Sequence, residues 1–282
     1  MNYSDFKQKV LNRLVEQIDN PNPGSWRGKG CYRHIIGNPK SNSQEQIDSI
    51  NKYMLLPNVP KIEQNIHLHQ NAHHLNSSQI MCYNFFRPLI NDFDNRTKMY
   101  KPTDKLVDLI SSLIDTPIEK RDSLCAFEYI PKGNEHTNFD FYFKNGRIEV
   151  FFEIKYTEAE FSKRSSSKEP HIQYVEIYKK LIEECEGIFT EGGINEDDFN
   201  GKYYQLARNS IRVTSNDKHV FFVCPKAHED LIKQFEIFSQ SCLTDYARGL
   251  IQLVTWEELL SCAEDNNIET TYFRNRYLSF LK

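Results

Sequence analysis

The middle of the chain carries two acids and a lysine, Asp140, Glu153 and Lys155, at a spacing that suits a metal site. Side chains alternate between the faces of a β-strand, so Glu153 and Lys155 share a face. The 12 residues 141–152 separate Asp140 from Glu153, which is enough for an antiparallel hairpin. Two carboxylates can hold a divalent cation such as Mg²⁺, which usually takes one or two of them. A neighbouring lysine can orient or deprotonate a water molecule, or neutralise charge in a phosphorane-like transition state.

The turn of this hairpin is predicted at Asn145-Gly146, between two runs of alternating aromatic and β-branched residues. Lys144 then pairs with Arg147, and Asp140 and Glu153 form a diagonal cross-strand pair with Cα atoms roughly 7 to 8 Å apart. The other face of both strands is entirely apolar and comprises Phe139, Phe141, Phe143, Ile148, Val150, Phe152, Ile154 and Tyr156.

A simpler interpretation is that Glu153 and Lys155 form the wet side of a half-exposed strand, as alternation normally indicates. The residues from Val150 to Ile154 argue against it, because apolar side chains there occupy both faces. A strand covered on both sides desolvates its charges, which is costly unless they are paired or bound to a metal. The pattern therefore favours a functional site.

This pattern resembles the PD-(D/E)xK nuclease superfamily, which has the restriction-endonuclease-like fold. The motif is Asp140, an apolar run and then Glu153-Ile154-Lys155, with Phe139 in place of the name-giving proline. The wider chain, from about Tyr32 to Glu258, is similar to a group of bacterial restriction endonucleases. The segments that carry this similarity are His74–Gln79, Cys82–Leu89, Phe127-Glu128, Glu153–Glu158 and Tyr204–Asn209.

The resemblance implies a Mg²⁺-dependent endonuclease, with Mn²⁺ as a substitute, that acts on DNA as a restriction enzyme of a bacterial defence system. It implies that Asp140, Glu153 and the backbone carbonyl of Ile154 hold the metal while Lys155 positions the attacking water. The expected partners are double-stranded DNA, a second copy of the chain as a homodimer, and a cognate DNA methyltransferase. The alternatives are a repair or mobile-element nuclease of the same fold, and a non-catalytic DNA-binding subunit with a relict site.

Two further catalytic residues, Glu128 and Gln205, are expected from the resemblance. Glu128 lies on the predicted strand before Asp140 and would be a third acid of the metal site; a surface carboxylate or ion-pair partner is equally compatible with the sequence. Gln205 lies on a helix from which related nucleases direct a glutamine towards the metal, although a helix-surface amide is the simpler interpretation. Arg208, one turn later, would bind phosphate or be solvated.

The net charge of −4 and the pI of about 6.2 exclude binding of nucleic acid by the whole surface, so a local basic patch is required. The first candidate comprises Arg27, Lys29 and Arg33 in a glycine-punctuated aromatic segment that could follow a phosphate backbone. The second is Lys163 and Arg164, in the serine-rich stretch after the Lys155 strand. A solvated loop is an equally good interpretation of either segment.

The composition is that of a cytoplasmic globular protein, with 39% hydrophobic and 26% charged residues. Neither a membrane-spanning run nor a signal peptide is expected, because apolar stretches are short and the N-terminus is polar. Seven scattered cysteines without a C-x-x-C motif indicate no zinc site or disulfide framework. The one histidine cluster, His67, His69, His73 and His74, lacks a second ligand group, so zinc is not indicated there either.

Periodicity and turn residues predict an α/β protein whose elements follow the order α, β, β, β, α, β, with N- and C-terminal helical additions. This order matches the restriction-endonuclease-like αβββαβ core that the resemblance implies, a mixed sheet flanked by helices. The predicted regions are 1–96, helical and a candidate DNA-contacting region, 97–260, the nuclease core, and 261–282, a C-terminal extension. The predicted helices are 5–18, 44–55, 77–86, 105–114, 172–189, 203–213 and 229–238. The predicted strands are 124–130, 139–143, 148–156, 219–224 and 250–254.

Overall fold

The computed structural model describes residues 1–62, 66–132, 137–161, 177–185 and 187–281. A seven-stranded mixed sheet, in the order β3-β4-β5-β6-β7-β8-β9, forms its centre, and β1 pairs with β2 in a separate hairpin. Neighbours from β3 to β7 are antiparallel, whereas β7, β8 and β9 run parallel. The strands are β1 (Pro23–Trp26), β2 (Lys29–Ile36), β3 (Ile90–Asp94), β4 (Met99–Pro102), β5 (Leu124–Tyr129), β6 (Phe139–Asn145), β7 (Ile148–Ile154), β8 (Lys218–Cys224) and β9 (Ile251–Thr255).

Helices flank this sheet on both faces. Several begin at a side-chain cap; Ser77 and Thr103, for example, accept hydrogen bonds from Ile80 N–H and Leu106 N–H. The α-helices of the described part are Tyr3–Gln17, Gln44–Tyr53, Ser78–Phe86, Asp104–Leu113, Lys179–Glu184, Glu196–Gly201, Tyr204–Ser210, Glu229–Cys242, Asp245–Arg248, Trp256–Asp265 and Thr271–Tyr277.

Apolar cores lie on both sides of the sheet. One unites Phe152 of the sheet with residues as distant as Phe6 and Phe273, so the N- and C-terminal additions share a core with the sheet. The other packs Phe151 and its neighbours against helices that include Leu206. The predicted mixed sheet with helices on either side is thus confirmed, and its central strands are buried on both faces.

The hairpin between β6 and β7 differs in register from the prediction. Asn145 pairs with Ile148, so the two turn residues are Gly146 and Arg147 rather than Asn145 and Gly146. Gly146 has a φ of +56°, and glycine is preferred at the first position of a type II′ turn. Asn145 stays in the strand because its side-chain amide donates to the carbonyl oxygens of Glu119 and Arg121.

The predicted face of Phe139 is also wrong, because Phe139 does not share a core with Phe141. Its ring lies 4.7 Å from that of Phe151, in the core on the other side of the sheet. The alternation of faces fails at this end of β6, beside Glu128, whose φ of +50° departs from extended backbone.

The N-terminal region contains more than the predicted helices. It also carries the β1–β2 hairpin and contributes β3 to the edge of the sheet. The helix predicted at 172–189 falls partly outside the described residues, and Lys179–Glu184 is its helical portion within them. Within the described ranges, the helices are all too short or too polar to cross a membrane.

Candidate active site

Asp140, Glu153 and Lys155 come together at one end of the β6–β7 hairpin. The observed pairing of β6 with β7 ends at Phe141–Phe152 and differs by two residues from the predicted register. Beyond that pair, the Asp140 side chain accepts a hydrogen bond from the Ile154 N–H of β7. All three residues line a cleft of about 1140 Å³, which residues of the N-terminal region also line.

Glu153 is the most extensively bonded residue of the site. Its Oε1 accepts hydrogen bonds from Lys155 Nζ at 2.8 Å and Gln205 Nε2 at 2.6 Å. Its Oε2 accepts one from Asn209 Nδ2 at 3.0 Å. Because Glu153 is only 4% exposed, these donors replace water around the carboxylate and fix its position.

Asp140 is held by the adjacent strand, since its Oδ2 accepts a hydrogen bond of 2.6 Å from the Ile154 N–H. Burial raises the pKa of Asp140 well above its usual range, and the negative charges of Glu153 and Glu128 raise it further. The charge of Lys155 and the Ile154 hydrogen bond oppose this rise without cancelling it. Burial and the neighbouring carboxylates therefore both disfavour the ionised form of Asp140.

Lys155 is a cation here. Burial lowers its pKa, but the charges of Glu153, Glu158 and Asp140 outweigh that effect, so the pKa lies above the usual value. This charge state suits the orienting and charge-neutralising roles predicted for Lys155, and it does not suit deprotonation of water.

Glu158 was not predicted as a site residue, although it lies in the segment that carries the family resemblance. It lines the cleft, and its carboxylate accepts hydrogen bonds from Tyr156 N–H and Ser78 Oγ, both at 2.7 Å. The neighbouring Thr157 accepts one from Asn76. These bonds join the end of the β7 segment to the start of the Ser78–Phe86 helix.

Glu128 lies in the same cleft but is less closely integrated than Asp140 or Glu153. Burial raises its pKa to about 7, hydrogen bonds from Asn138 and Gln79 act in the opposite direction, and the charge of Glu153 adds to the rise. Glu128 is therefore near enough to interact electrostatically with the other acids, and it has its own hydrogen-bond partner in Asn138.

The oxygen atoms of the site fit a hard divalent cation. Asp140, Glu153 and the Ile154 carbonyl supply the oxygen donors that Mg²⁺ prefers, and a cation would relieve the repulsion that raises the Asp140 pKa. Within the described ranges, no group of three or more histidine, cysteine, aspartate or glutamate residues meets the geometry of a metal-binding cluster.

The Tyr204–Ser210 helix supplies the amides of the site. Gln205 and Asn209, one helical turn apart, both donate to Glu153, so the structure places Gln205 beside this acid. Gln205 Oε1 and Asn209 Oδ1 are buried without a hydrogen-bond partner among the described residues. Asn209 was missed in the sequence, where its spacing of four from Gln205 on one helix is the signal that could have revealed it.

Comparison with known protein families gives one match. Residues 23–278 match a family described as restriction endonuclease associating with ARP. The chain belongs to this restriction endonuclease family. The matched range contains the acids, the lysine and the amides of the site, whereas Tyr3, Lys7 and Leu11 of the cleft lining precede it. Comparisons with curated proteins and with solved structures found no match.

The first predicted basic patch of this restriction-endonuclease-like chain lies on the β1–β2 hairpin beside the cleft. Arg27, Lys29 and Arg33 are exposed there, while Trp26 and Tyr32 of the same hairpin line the cleft. Arg208 lines the cleft from the other side and stacks over Tyr204 at 5.1 Å. The second predicted patch, Lys163 and Arg164, lies outside the described residues.

Three histidines also line the cleft, namely His34, His69 and His74. Burial lowers the pKa of all three, and for His74 the neighbouring histidines add to the effect and bring the pKa to about 3. These rings are neutral near pH 7. His67, by contrast, is exposed and lies 3.2 Å from the Asn42 amide.

Proposed function

We propose that this protein is a PD-(D/E)xK endonuclease that hydrolyses DNA phosphodiester bonds with Mg²⁺, or Mn²⁺ in its place, and acts as a restriction enzyme in bacterial defence. The observation that carries this proposal is the meeting of Asp140, Glu153 and Lys155 in an open cleft of a restriction-endonuclease-like sheet. A relict site would have no reason to retain the buried Glu153–Lys155 ion pair beside a further carboxylate, Asp140.

Asp140, Glu153 and the Ile154 carbonyl would hold the metal, with Glu128 as a further acid nearby. When bound, Mg²⁺ would polarise the scissile phosphate and make a bound water more acidic. The amide groups of Gln205 and Asn209 keep the Glu153 carboxylate in a single orientation. Two donors on one carboxylate leave it pre-organised, so little reorganisation is needed during the reaction.

Lys155 carries the positive charge that the reaction needs from the chain itself. A water oxygen forms a new bond to phosphorus, the bond to one ester oxygen breaks, and the water proton passes to solvent while the departing oxygen acquires one. Lys155 Nζ, held 2.8 Å from Glu153, can orient that water and offset the negative charge that accumulates on the phosphate oxygens.

The expected substrate is double-stranded DNA, bound along the basic hairpin with Arg27, Lys29 and Arg33 and against Arg208. We further propose a cytoplasmic homodimer that works with a cognate DNA methyltransferase. The matched family is described as associating with ARP, so we add an ARP as a proposed partner.

The direct test is cleavage of plasmid DNA by the purified protein with Mg²⁺ or Mn²⁺, against the same reaction with EDTA. Asp140→Ala, Glu153→Ala and Lys155→Ala should each abolish cleavage in single turnover and leave DNA binding largely intact. Asp92→Asn provides a matched control, since Asp92 is an exposed acid on β3 outside the cleft. Circular dichroism and thermal melting check that each variant is folded.

The outcomes separate the proposal from its alternatives. Cutting by any of the three variants at near the wild-type rate would remove that residue from the mechanism. DNA binding by the wild type without cleavage under either metal would favour a non-catalytic DNA-binding subunit. Cleavage confined to damaged or branched DNA would favour a repair or mobile-element nuclease.

A further inference from the structure

The N-terminal region contributes aromatic rings to the lining of the cleft that holds the acids. Trp26 and Tyr32 come from the β1–β2 hairpin, as does His34, and His74 comes from the segment before the Ser78–Phe86 helix. Ring centroids lie 5.4 Å apart for Trp26 and His74, 6.2 Å for His34 and His74, and 5.6 Å for Tyr32 and His34. The four rings therefore form one connected aromatic wall.

The two largest rings of this aromatic wall remain open to solvent. Trp26 and Tyr32 are each 40% exposed although both line the cleft. The Tyr32 ring lies over Gly30, where a Cβ atom would be only 2.8 Å from a ring carbon. Gly30 has a φ of +71°, so glycine fits both the backbone and the ring at this point. Exposed aromatic rings of this kind are suited to stacking against a flat ligand.

The aromatic wall is uncharged, whereas the side chains at its margin are cationic. His34 and His74 have lowered pKa values through burial, so the wall itself is neutral and offers no cation to a phosphate. The cations lie at its margin, where the Arg27 guanidinium is 5.5 Å from the Trp26 ring and Lys29 is exposed at the turn. Such an arrangement matches a nucleotide, with an uncharged flat base and a phosphate beside it.

We propose that the aromatic wall is a stacking subsite for an unpaired nucleobase of the DNA strand whose phosphate faces Asp140 and Glu153. This inference rests on the proposed function. In duplex DNA, both faces of a base are covered by its neighbours, so a base can reach Trp26 or Tyr32 only from a single-stranded segment or after leaving the stack. The cleft volume of about 1140 Å³ exceeds the roughly 300–1,000 Å³ of ordinary ligand pockets and leaves room for a base together with its backbone.

Tryptophan fluorescence provides a local signal for this stacking. The chain has two tryptophans, and Trp256 is fully buried in the core, so quenching by an added strand reports on Trp26. The full-length protein is titrated in EDTA, which prevents cleavage, with a single DNA strand of about 12 nucleotides of mixed sequence. A strand of equal length with abasic sites keeps the phosphates and lacks the bases. An RNA strand of the same sequence shows whether the subsite prefers a base from DNA or from RNA.

The base-containing DNA strand should quench Trp26, and the abasic strand should not. Affinities of the variants are measured by fluorescence anisotropy of an end-labelled strand, because the Trp26 variants lack the tryptophan signal. Trp26→Ala and Tyr32→Ala should each weaken binding of the base-containing strand about 5- to 150-fold, which corresponds to about 1–3 kcal/mol per stacked base. Trp26→Phe keeps a ring and should restore most of the affinity. Tyr246→Ala, which removes a 51%-exposed tyrosine outside the cleft, should bind like the wild type.

Equal affinity and equal quenching by the abasic strand would overturn the proposal, because contacts to phosphate alone would then explain binding. Unchanged affinity in folded Trp26→Ala and Tyr32→Ala would also overturn it, and tighter binding of the RNA strand would overturn the assignment to DNA. The titration needs no catalysis, so stacking without any cleavage would refute the nuclease function alone. Cleavage by a protein that shows no quenching would refute the subsite alone.

Discussion

Replacing Asn209 by alanine is expected to slow DNA cleavage about 10- to 150-fold without unfolding the protein. Asn209 Nδ2 donates to Glu153 Oε2 at 3.0 Å, and a hydrogen bond to a charged group contributes about 1.5–3 kcal/mol. Water cannot readily take its place, since Glu153 is only 4% exposed. At about 1.4 kcal/mol for each factor of ten, the full loss in the transition state gives this range of rates.

The neighbouring variants show whether the effect arises from Glu153 or from helix packing. Gln205→Ala should give a loss in the same range, because its amide donates to the other carboxylate oxygen at 2.6 Å. The double variant should lose less than the sum of both effects, as residues that share a partner are not additive. Ser210→Ala is the matched control on the same helix, because Ser210 Oγ donates to the Leu206 carbonyl and does not contact Glu153.

The assay is single-turnover cleavage of plasmid DNA over a range of Mg²⁺ concentrations, with thermal melting to confirm the fold. A rate that recovers at high Mg²⁺ concentration would show that Asn209 acts through the position of Glu153 and therefore through metal affinity. If Asn209→Ala and Gln205→Ala both cut like the wild type at every Mg²⁺ concentration, the helix would serve the fold only. Equal losses in Ser210→Ala would lead to the same conclusion.

Three further predictions follow from the charges of the site. Asp140→Asn should abolish cleavage and yet raise the melting temperature at pH 8 without metal, because burial and the neighbouring acids raise the pKa of Asp140 and so make its ionised form destabilising. The raised pKa of Glu128 likewise makes its ionised form destabilising. Protonated Glu128 makes its whole contribution to the free energy of unfolding below the ordinary pKa of 4.5, and this contribution is lost as the pH rises through about 7. Glu128→Gln should therefore reduce the loss of unfolding free energy between pH 5 and pH 8 by on the order of 3 kcal/mol in denaturant titrations without metal, and an unchanged pH dependence would contradict this. Mg²⁺ should stabilise the wild type against heat at pH 8 and Asp140→Asn much less, while equal shifts in both would place the metal elsewhere.

Local patterns in the sequence determined most face assignments of the β6–β7 hairpin, although the predicted register was wrong. Phe141, Phe143, Val150 and Phe152 share one core because the pairing differs from the prediction by two residues, and the side-chain period of a strand is two. Phe139 is the exception and lies in the other core. The turn itself depended on contacts from outside the hairpin, since the Asn145 amide bonds to the 119–123 segment. No local rule contains that information.

The helix starts at Ser77 and Thr103 were also readable from the chain, because a capping hydrogen bond involves residues only three positions apart. The β1–β2 hairpin was not readable as a pair of strands. Glycines interrupt its alternation, and it is one of the more exposed parts of the described chain. Its strands were predicted only as a basic, aromatic segment, which describes its composition and leaves its conformation open.

Only the tertiary structure decided what surrounds the acids. Asn209 could be suspected from its spacing to Gln205, but its partner Glu153 lies 56 residues away, and the Ser78 partner of Glu158 lies 80 residues away along the chain. The aromatic wall likewise depends on tertiary contacts, because residues of the N-terminal hairpin line the same cleft as Asp140 and Glu153. Alternation and helix capping depend on residues that are close in sequence. The contacts around the acids depend instead on how both cores pack, and no single segment of the sequence encodes that packing.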